Sequence, residues 1–415
     1  MAKRRPVYVR GVGAVTPLGA DWPSSRAALA AGKTAIAPVA AFDARGFPST
    51  VAAAVPESLL PALDPSAGPV DRRWRLLAPA ADEAWRQAEN DAPAERVGVF
   101  LGAESGRASF ATVVGLARAG GGGTTFDARA FGHAARVFTR RIDAAMVSPA
   151  AVTSALARRL GARGPAATIS LACASGSAAI AEGARAIRIG RCDVAICGGV
   201  GADVDPLMLA GFGKLGALSA RGISCPFDVR RDGFVVGEGA AVVILAAARG
   251  RSAVELAGEA RSLDAYHLTA PDPDGAGAER AMRAALAAAG ESDSAPAIDY
   301  VQAHGTSTPL NDAVEAAALR RALGAALDRS HAASVKGAIG HAVAGAGALG
   351  FLCAHAAVAD GVLLPTAGLE EPDPACALPH LRGRAIVLPR PARAAMINAF
   401  AFGGANTTLV LRSCA

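Results

Sequence analysis

The chain changes hydrophobic period over and over, and that switching confines it to one class of architecture. Short apolar runs read as buried strands: Val7–Val15, Val97–Leu101, Ala167–Leu171, Val194–Cys197 and Ala240–Ala247. Between them lie segments with apolar residues at helical spacing. Asp71–Asn90 is the clearest, with Leu76, Leu77, Ala80, Ala81 and Ala84 on one face. Trp22–Gly32 and Ser175–Ile189 read the same way, as does "SPAAVTSALARRLGARGP", with Ser148 as N-cap, Pro149 in the first turn and Gly161 near the end. The glycine run Gly120–Gly123 marks a loop. The alternation then restarts with a strand (Ser252–Leu263), a helix (Gly277–Ala289), a strand (Tyr300–Gln302) and a helix (Asn311–Leu323). A small-residue helix in "GHAVAGAGALGFLCAHAAVADG" and strands at Ala385–Leu388 and Thr407–Leu411 follow. Strands and helices in alternation imply a layered α/β fold.

Composition removes several alternatives. With 52% hydrophobic and 19% charged residues over 415 positions, the chain can bury a large core and is not disordered. A formal net charge of +6 favours an acidic partner over a basic one but carries no nucleic-acid motif. Seven cysteines are scattered with no CxxC pair, which argues for reduced cytoplasmic thiols and against a zinc ribbon; no metal site is expected. The basic start "MAKRRPVYVRGVGAV" lacks a cleavage pattern and reads as a first strand. No run approaches about 18 uninterrupted apolar residues, so no membrane span is expected.

Three segments carry the residue types for covalent chemistry. "LACASGSAA" places Cys173 between a strand and a helix. "QAHGTSTPLNDAVEAAAL" places His304 just past a strand, followed by Thr306, Thr308, Asp312 and Glu315. "SVKGAIGHAVAGAG" holds Lys336 and His341. A thiol at a helix start meets unpaired N–H groups and the positive end of the dipole, which should lower its pKa from about 8.5. Two histidines can donate to an oxygen that gains charge, and a lysine beside them can hold the charge pattern in place. Taken singly, each has an ordinary structural reading: a packed thiol, a satisfied histidine, a solvent-facing lysine.

Together with "CPFDVRRDGFVVGEGAAVVIL", "DAYHLTAPDPDG" and "NAFAFGGANTTLVL", these segments resemble, in order and over almost the whole chain, the β-ketoacyl-acyl-carrier-protein synthases, elongating Cys-His-His type. The resemblance implies a thiolase-like α/β fold of two similar halves, 1–256 and 257–415, each with a mixed five-stranded sheet, in α-β-α-β-α layers. It implies that Cys173 accepts an acyl chain from the phosphopantetheine arm of acyl carrier protein. It implies that His304 and His341 bind the thioester oxygen of a malonyl unit during decarboxylation, with Lys336 organising them and Glu315 as its charge partner. The N–H groups of Cys173 and Phe402 would form an oxyanion hole, Phe402 would gate the site, and Thr306 and Thr308 would bind pantetheine. No cofactor is implied. The assembly implied is a dimer, of two copies or with a related subunit.

The segment "DRRWRLL" offers Arg72, Arg73 and Arg75 as a docking face for an acidic carrier protein, or simply a solvated helix face; Arg140 and Arg141 are a second pair. Departures from the family pattern point elsewhere. Ala401 replaces a loop glycine, so a stiffer gate is expected. Asn311 stands for a glycine, where a left-handed backbone is expected. Gly216 replaces an arginine, with Lys214 nearby. Glu104 and Arg107 fall where the family lines its acyl pocket and suggest a specialised substrate. The alternative reading is a non-catalytic partner similar to chain-length factors, though those lack the nucleophile. A degradative thiolase would need a second cysteine in the C-terminal glycine-rich motif, and "NAFAFGGAN" has none.

Overall fold

The computed structural model describes residues 5–62, 71–122, 125–139, 147–292 and 296–414. Among them, one sheet takes β1 (Tyr8–Val15), β2 (Val97–Ala103), β3 (Ala166–Ile169), β4 (Val194–Ala202), β5 (Glu238–Ala246), β6 (Val254–Leu263), β7 (Tyr300–Gln302), β8 (His331–Ala333), β9 (Ala394–Phe400) and β10 (Ala405–Ser413). Its order is β8-β7-β9-β10-β6-β1-β5-β4-β2-β3. Each strand of the second half stands where the strand five places earlier stands in the first. The pairing senses repeat as well. β1–β5 and β5–β4 are antiparallel, while β4–β2 and β2–β3 are parallel. β6–β10 and β10–β9 are antiparallel, while β9–β7 and β7–β8 are parallel. The halves meet where β1 pairs β6, Tyr8 opposite Glu255.

The helices are α1 (Trp22–Ala30), α2 (Arg72–Gln87), α3 (Phe110–Ala119), α4 (Ala128–Thr139), α5 (Ala150–Leu160), α6 (Ser175–Arg188), α7 (Pro206–Lys214), α8 (Ala276–Ala289), α9 (Pro309–Leu323) and α10 (Ala346–Asp360). α6 and α10 pack together in the middle, α6 on β2 and β4, α10 on β9 and also on β5 of the other half. Their apolar cluster holds Ile180, Ile187, Phe351 and Leu352. α2 and α5 cover the outer face of the first half over Leu76, Leu77, Leu156 and Ile244; α8 and α9 cover the second over Met282, Leu286 and Leu319. The five layers match the architecture the sequence implied.

Several expectations need correction. β6 runs across the expected boundary at 256/257, so the passage between halves lies between Ala246 and Val254. The segment Ala385–Leu388 gives only Ile386–Val387, paired with Val362–Leu363 in a separate two-stranded sheet. The central strand β9, the short β8, and helices α3, α4 and α7 were not anticipated. Ser148 lies one position before the N-cap, which is Pro149, although its Oγ accepts from the N–H of Ala150 at 3.2 Å. Gly123, Arg140 and Arg141 lie outside the described residues. The stretch Val343–Asp360 is long and apolar enough to cross a membrane by composition, with mean hydropathy 1.4, but 83% of it is buried within the fold.

The two central helices begin alike. α6 follows the single turn Ala172–Ala174, and α10 follows Val343–Gly345; the turns touch, and each opens on a residue with positive φ, Ala172 at 43° and Val343 at 41°. The contact is tight because the next-to-last residue of β4 is a glycine, Gly201. A Cβ on Gly201 would stand 1.9 Å from the carbonyl oxygen of Ala342, a backbone atom with nowhere to retreat. Gly201→Ala is therefore expected to destabilise the fold by about 3 kcal/mol, seen as a thermal midpoint several degrees below wild type at matched scan rate; an unchanged midpoint would show that the turn yields freely.

Candidate active site

Cys173 sits at the touching turns, 8% exposed. The turn is held by Ser175, whose hydroxyl donates to the carbonyl of Ala172 (2.7 Å) and accepts from the N–H of Leu171 (2.8 Å). A cavity of about 400 Å³ opens over the thiol. Cys173, His304, His341, Thr306, Thr308 and Phe402 all line it, so the structure brings together the residues the sequence singled out.

His304 comes off the end of β7, and two carboxylates on one face of α9, three residues apart, fold its loop back. Glu315 accepts from the N–H of His304 and of Gly305, both at 2.8 Å, and from the Asn398 amide at 3.1 Å. Asp312 accepts from the N–H groups of Thr306 (2.9 Å), Ser307 (3.1 Å) and Phe227 (2.9 Å). Asp312 was noted in the sequence without a role; here it shapes the loop that carries both threonines, whose hydroxyls meet at 2.8 Å.

Lys336 is buried at the start of a short helix. Its ammonium donates to the carbonyl of His304 and lies 3.4 Å from His304 Nδ1. Because that nitrogen faces a donor, the neutral ring carries its proton on Nε2. His341 reaches the same tautomer by another route: the N–H of Val343 donates to its Nδ1 at 3.1 Å. Its Nε2 is then a buried donor with no partner among the described residues. The two rings stand 5.8 Å apart and nearly perpendicular.

Burial sets the charges. Desolvation, then the charge of Lys336, holds both histidines well below the usual imidazole range, so they are neutral at pH 7. Desolvation pushes Lys336 down to about 8, opposed by the charge of Glu315, and pushes Glu315 up to about 7, opposed by its backbone N–H donors. Glu315 acts on Lys336 through space and through the His304 loop, since no ion pair joins them within 4 Å.

The expected low thiol pKa is not what burial allows. Desolvation pushes Cys173 up to about 12; the Lys336 charge and the N–H groups of Phe402 and Cys173 oppose it, and Asp203 adds to it. Those two N–H groups face the sulfur, which is the arrangement an oxyanion hole needs. Ala401 does not take a positive φ; Gly403 and Gly404 do, at 84° and 76°, so the replaced glycine introduces no backbone strain. Asn311 lies within α9 rather than in a left-handed turn, its amide on Asp312 at 3.1 Å.

Other candidates move away from the site. Arg72 pairs with Glu238, whose side chain is fully buried, and with Glu57. Arg73 is buried against Asp71 and donates to the carbonyl of Glu104. Arg75 pairs with Glu57 at 2.7 Å. These arginines tie α2 to the fold. Lys214 is exposed, next to Leu215 and Gly216 on the cavity rim. Glu104 and Arg107 do not pair and do not line this cavity; they line a second one. Asp203, missed in the sequence, pairs with Arg107 at 3.0 Å, and burial pushes it up to about 6.

The comparisons agree with this geometry. Residues 4–250 match the family model "Beta-ketoacyl synthase, N-terminal domain", and residues 253–370 match "Beta-ketoacyl synthase, C-terminal domain". The chain is 34% identical to 3-oxoacyl-[acyl-carrier-protein] synthase 2 of Synechocystis sp., over 99% of this chain and 98% of that one. It is also 34% identical to the tetracenomycin polyketide synthase ketoacyl synthase alpha subunit of Streptomyces glaucescens, over 90% of each. Among solved structures, the ishigamide ketosynthase/chain length factor superposes with a TM-score of 0.83 at 30% identity, covering all of both chains. A ketosynthase solved with its type II polyketide acyl-carrier protein gives 0.82 at 26% identity, covering 99% of this chain and all of that one. The chain belongs to the β-ketoacyl synthase family, enzymes that join acyl units by forming a carbon–carbon bond.

The resting thiol gives a direct check. Iodoacetamide should alkylate Cys173 slowly at neutral pH, the rate rising about tenfold per pH unit and still climbing at about pH 9.5, where an unperturbed cysteine has levelled off. Peptide mass mapping reads the site; a plateau near the free-cysteine pKa would refute the protonated resting state. A second check concerns Arg72. Arg72→Ala leaves the Glu238 carboxylate buried and unpaired, an expected loss of about 3 kcal/mol by chemical denaturation.

Proposed function

We propose that the chain is a β-ketoacyl-acyl-carrier-protein synthase that condenses an acyl group held on Cys173 with a malonyl unit, in fatty-acid or type II polyketide-like synthesis. The observation that carries the reading is the convergence of Cys173, the unpartnered Nε2–H of His341 and the Lys336-held His304 on one cavity.

In the first half-reaction the Cys173 sulfur attacks the acyl thioester. The N–H groups of Cys173 and Phe402 take the developing oxyanion, and the pantetheine thiol leaves with the proton the cysteine gives up. Thr306 and Thr308 meet the pantetheine arm along the cavity. Malonyl thioester then binds with its carbonyl oxygen between the two Nε2–H donors. Carbon dioxide departs, its bonding electrons become an enolate, and the histidines hold the charge on oxygen. Neutral imidazoles suit this task because each keeps one fixed proton to donate. The carbanion attacks the acyl carbonyl, a carbon–carbon bond forms, and Cys173 leaves as thiolate and regains a proton. These steps need no metal or redox cofactor.

The carrier protein docks at the cavity rim beside exposed Lys214. The enzyme works in the cytoplasm, where its seven cysteines stay free, and as a dimer, with a second copy or with a related subunit.

Purified protein given acyl- and malonyl-carrier protein should yield β-ketoacyl product by mass, and Cys173→Ala should yield none. His341→Ala should still acylate on Cys173 but condense about 10²–10³-fold more slowly, the usual cost of one oxyanion donor. Equal product from wild type and Cys173→Ala defeats the mechanism. Failure of Cys173 to accept any donor favours a partner subunit of chain-length-factor type.

A further inference from the structure

Behind the Cys173 turn lies a second cavity of about 220 Å³, walled in part by Glu104, Arg107, Asp203, Val204, Asp205 and Leu207. Arg107 spans it. Its guanidinium meets Asp203 at 3.0 Å and Asp205 at 2.6 Å and donates to the carbonyl of Ala202 at 2.9 Å. The Glu104 carboxylate accepts from the hydroxyls of Ser170 (2.9 Å) and Ser175 (3.3 Å) and forms no ion pair among the described residues. Other charges on the wall are matched, Arg72 with Glu238 and Glu57, Arg73 with Asp71. Among the described residues, Arg107 alone is left to face three carboxylates, Glu104, Asp203 and Asp205, and the cavity carries a surplus of acceptor oxygens. A hydrocarbon occupant would strip water from those oxygens and return no hydrogen bond. An occupant with a donor at its end would satisfy them.

The wall between this cavity and the nucleophile is thin. Val204 lines the second cavity and also packs into the apolar cluster that holds Cys173. Ser175, two residues past the nucleophile, bonds both Glu104 and the carbonyl of Ala172.

We propose that the Glu104–Arg107–Asp203 cavity selects the acyl group carried on Cys173, taking chains that end in a hydrogen-bond donor, an amine or a hydroxyl, over plain hydrocarbon chains. The inference rests on Cys173 being the acyl carrier, as proposed above. A chain extending from the sulfur past Val204 brings its far end against Glu104 and Asp203. Arg107 is a positioning residue that keeps Asp203 and Asp205 on the wall.

The test uses N-acetylcysteamine thioesters of hexanoic, octanoic and decanoic acids, each plain, ω-hydroxylated and ω-aminated, with acylation of Cys173 followed by intact mass. At the best chain length the donor-ended thioester should acylate about tenfold faster than the plain one, the scale at which a site built for a polar group discriminates. Glu104→Gln, which keeps the shape but replaces one carboxylate oxygen with an amide donor, should shrink the amine preference by a similar factor; Arg107→Leu, which removes the cation facing Asp203 and Asp205, should enlarge it. Plain chains reacting fastest at every length, or a ratio that Glu104→Gln leaves unmoved, overturns the proposal while the condensing function stands. No acylation by any thioester overturns both.

Discussion

Gly201 lacks a side chain because the carbonyl oxygen of Ala342 occupies the place where one would go. That approach, near the end of a strand buried up to its last residue, sets how near the turn of one half comes to the turn of the other. Everything the site does depends on it. The nucleophile belongs to the first half and both histidines to the second, and the positive φ at Ala172 and at Val343 bends each turn toward the contact. Strain of this kind, about 1–3 kcal/mol for a non-glycine residue, persists only where packing over-determines it, and here two central helices behind the turns supply that packing.

Burial then assigns the protonation states. Removing solvent penalises every charge, so the thiol keeps its proton and the imidazoles stay neutral. Lys336 and Glu315 are the groups through which the site retains any charge pattern, and both are drawn toward neutrality by the same desolvation. The helix-start argument for a reactive thiolate was sound in sign but smaller than the burial that opposes it. Activation must come with the substrate, whose developing oxyanion is the charge the N–H groups and Nε2 donors await.

Much of this was legible in the chain. Alternating periods gave the layers, the small-residue stretch gave a central helix, and the order of motifs placed Cys173, His304, Lys336 and His341 in one site. What escaped has identifiable physical causes. β9, "AAMINAF", is buried along its whole length, yet three alanines and an asparagine give it no strand signature; its neighbours decide its state. α7 carries Asp205 and Pro206 as a start signal, but Gly211 and Gly213 hide its period. Sequence does not show that Glu238, far along the chain, comes to meet Arg72. The fate of Glu104 and Arg107 turned on Asp203, whose partner is nearly a hundred residues away.

The repeated topology has a consequence for how the molecule can fail. α6 and α10 both point their amino ends toward the same chamber, one from each half, so neither half encloses a chamber alone. Reactivity is a property of the seam. Any event that loosens the seam, from a misplaced methyl to partial opening of the central helices, separates nucleophile from acid before it unfolds either half. Inactivation should therefore precede loss of secondary structure.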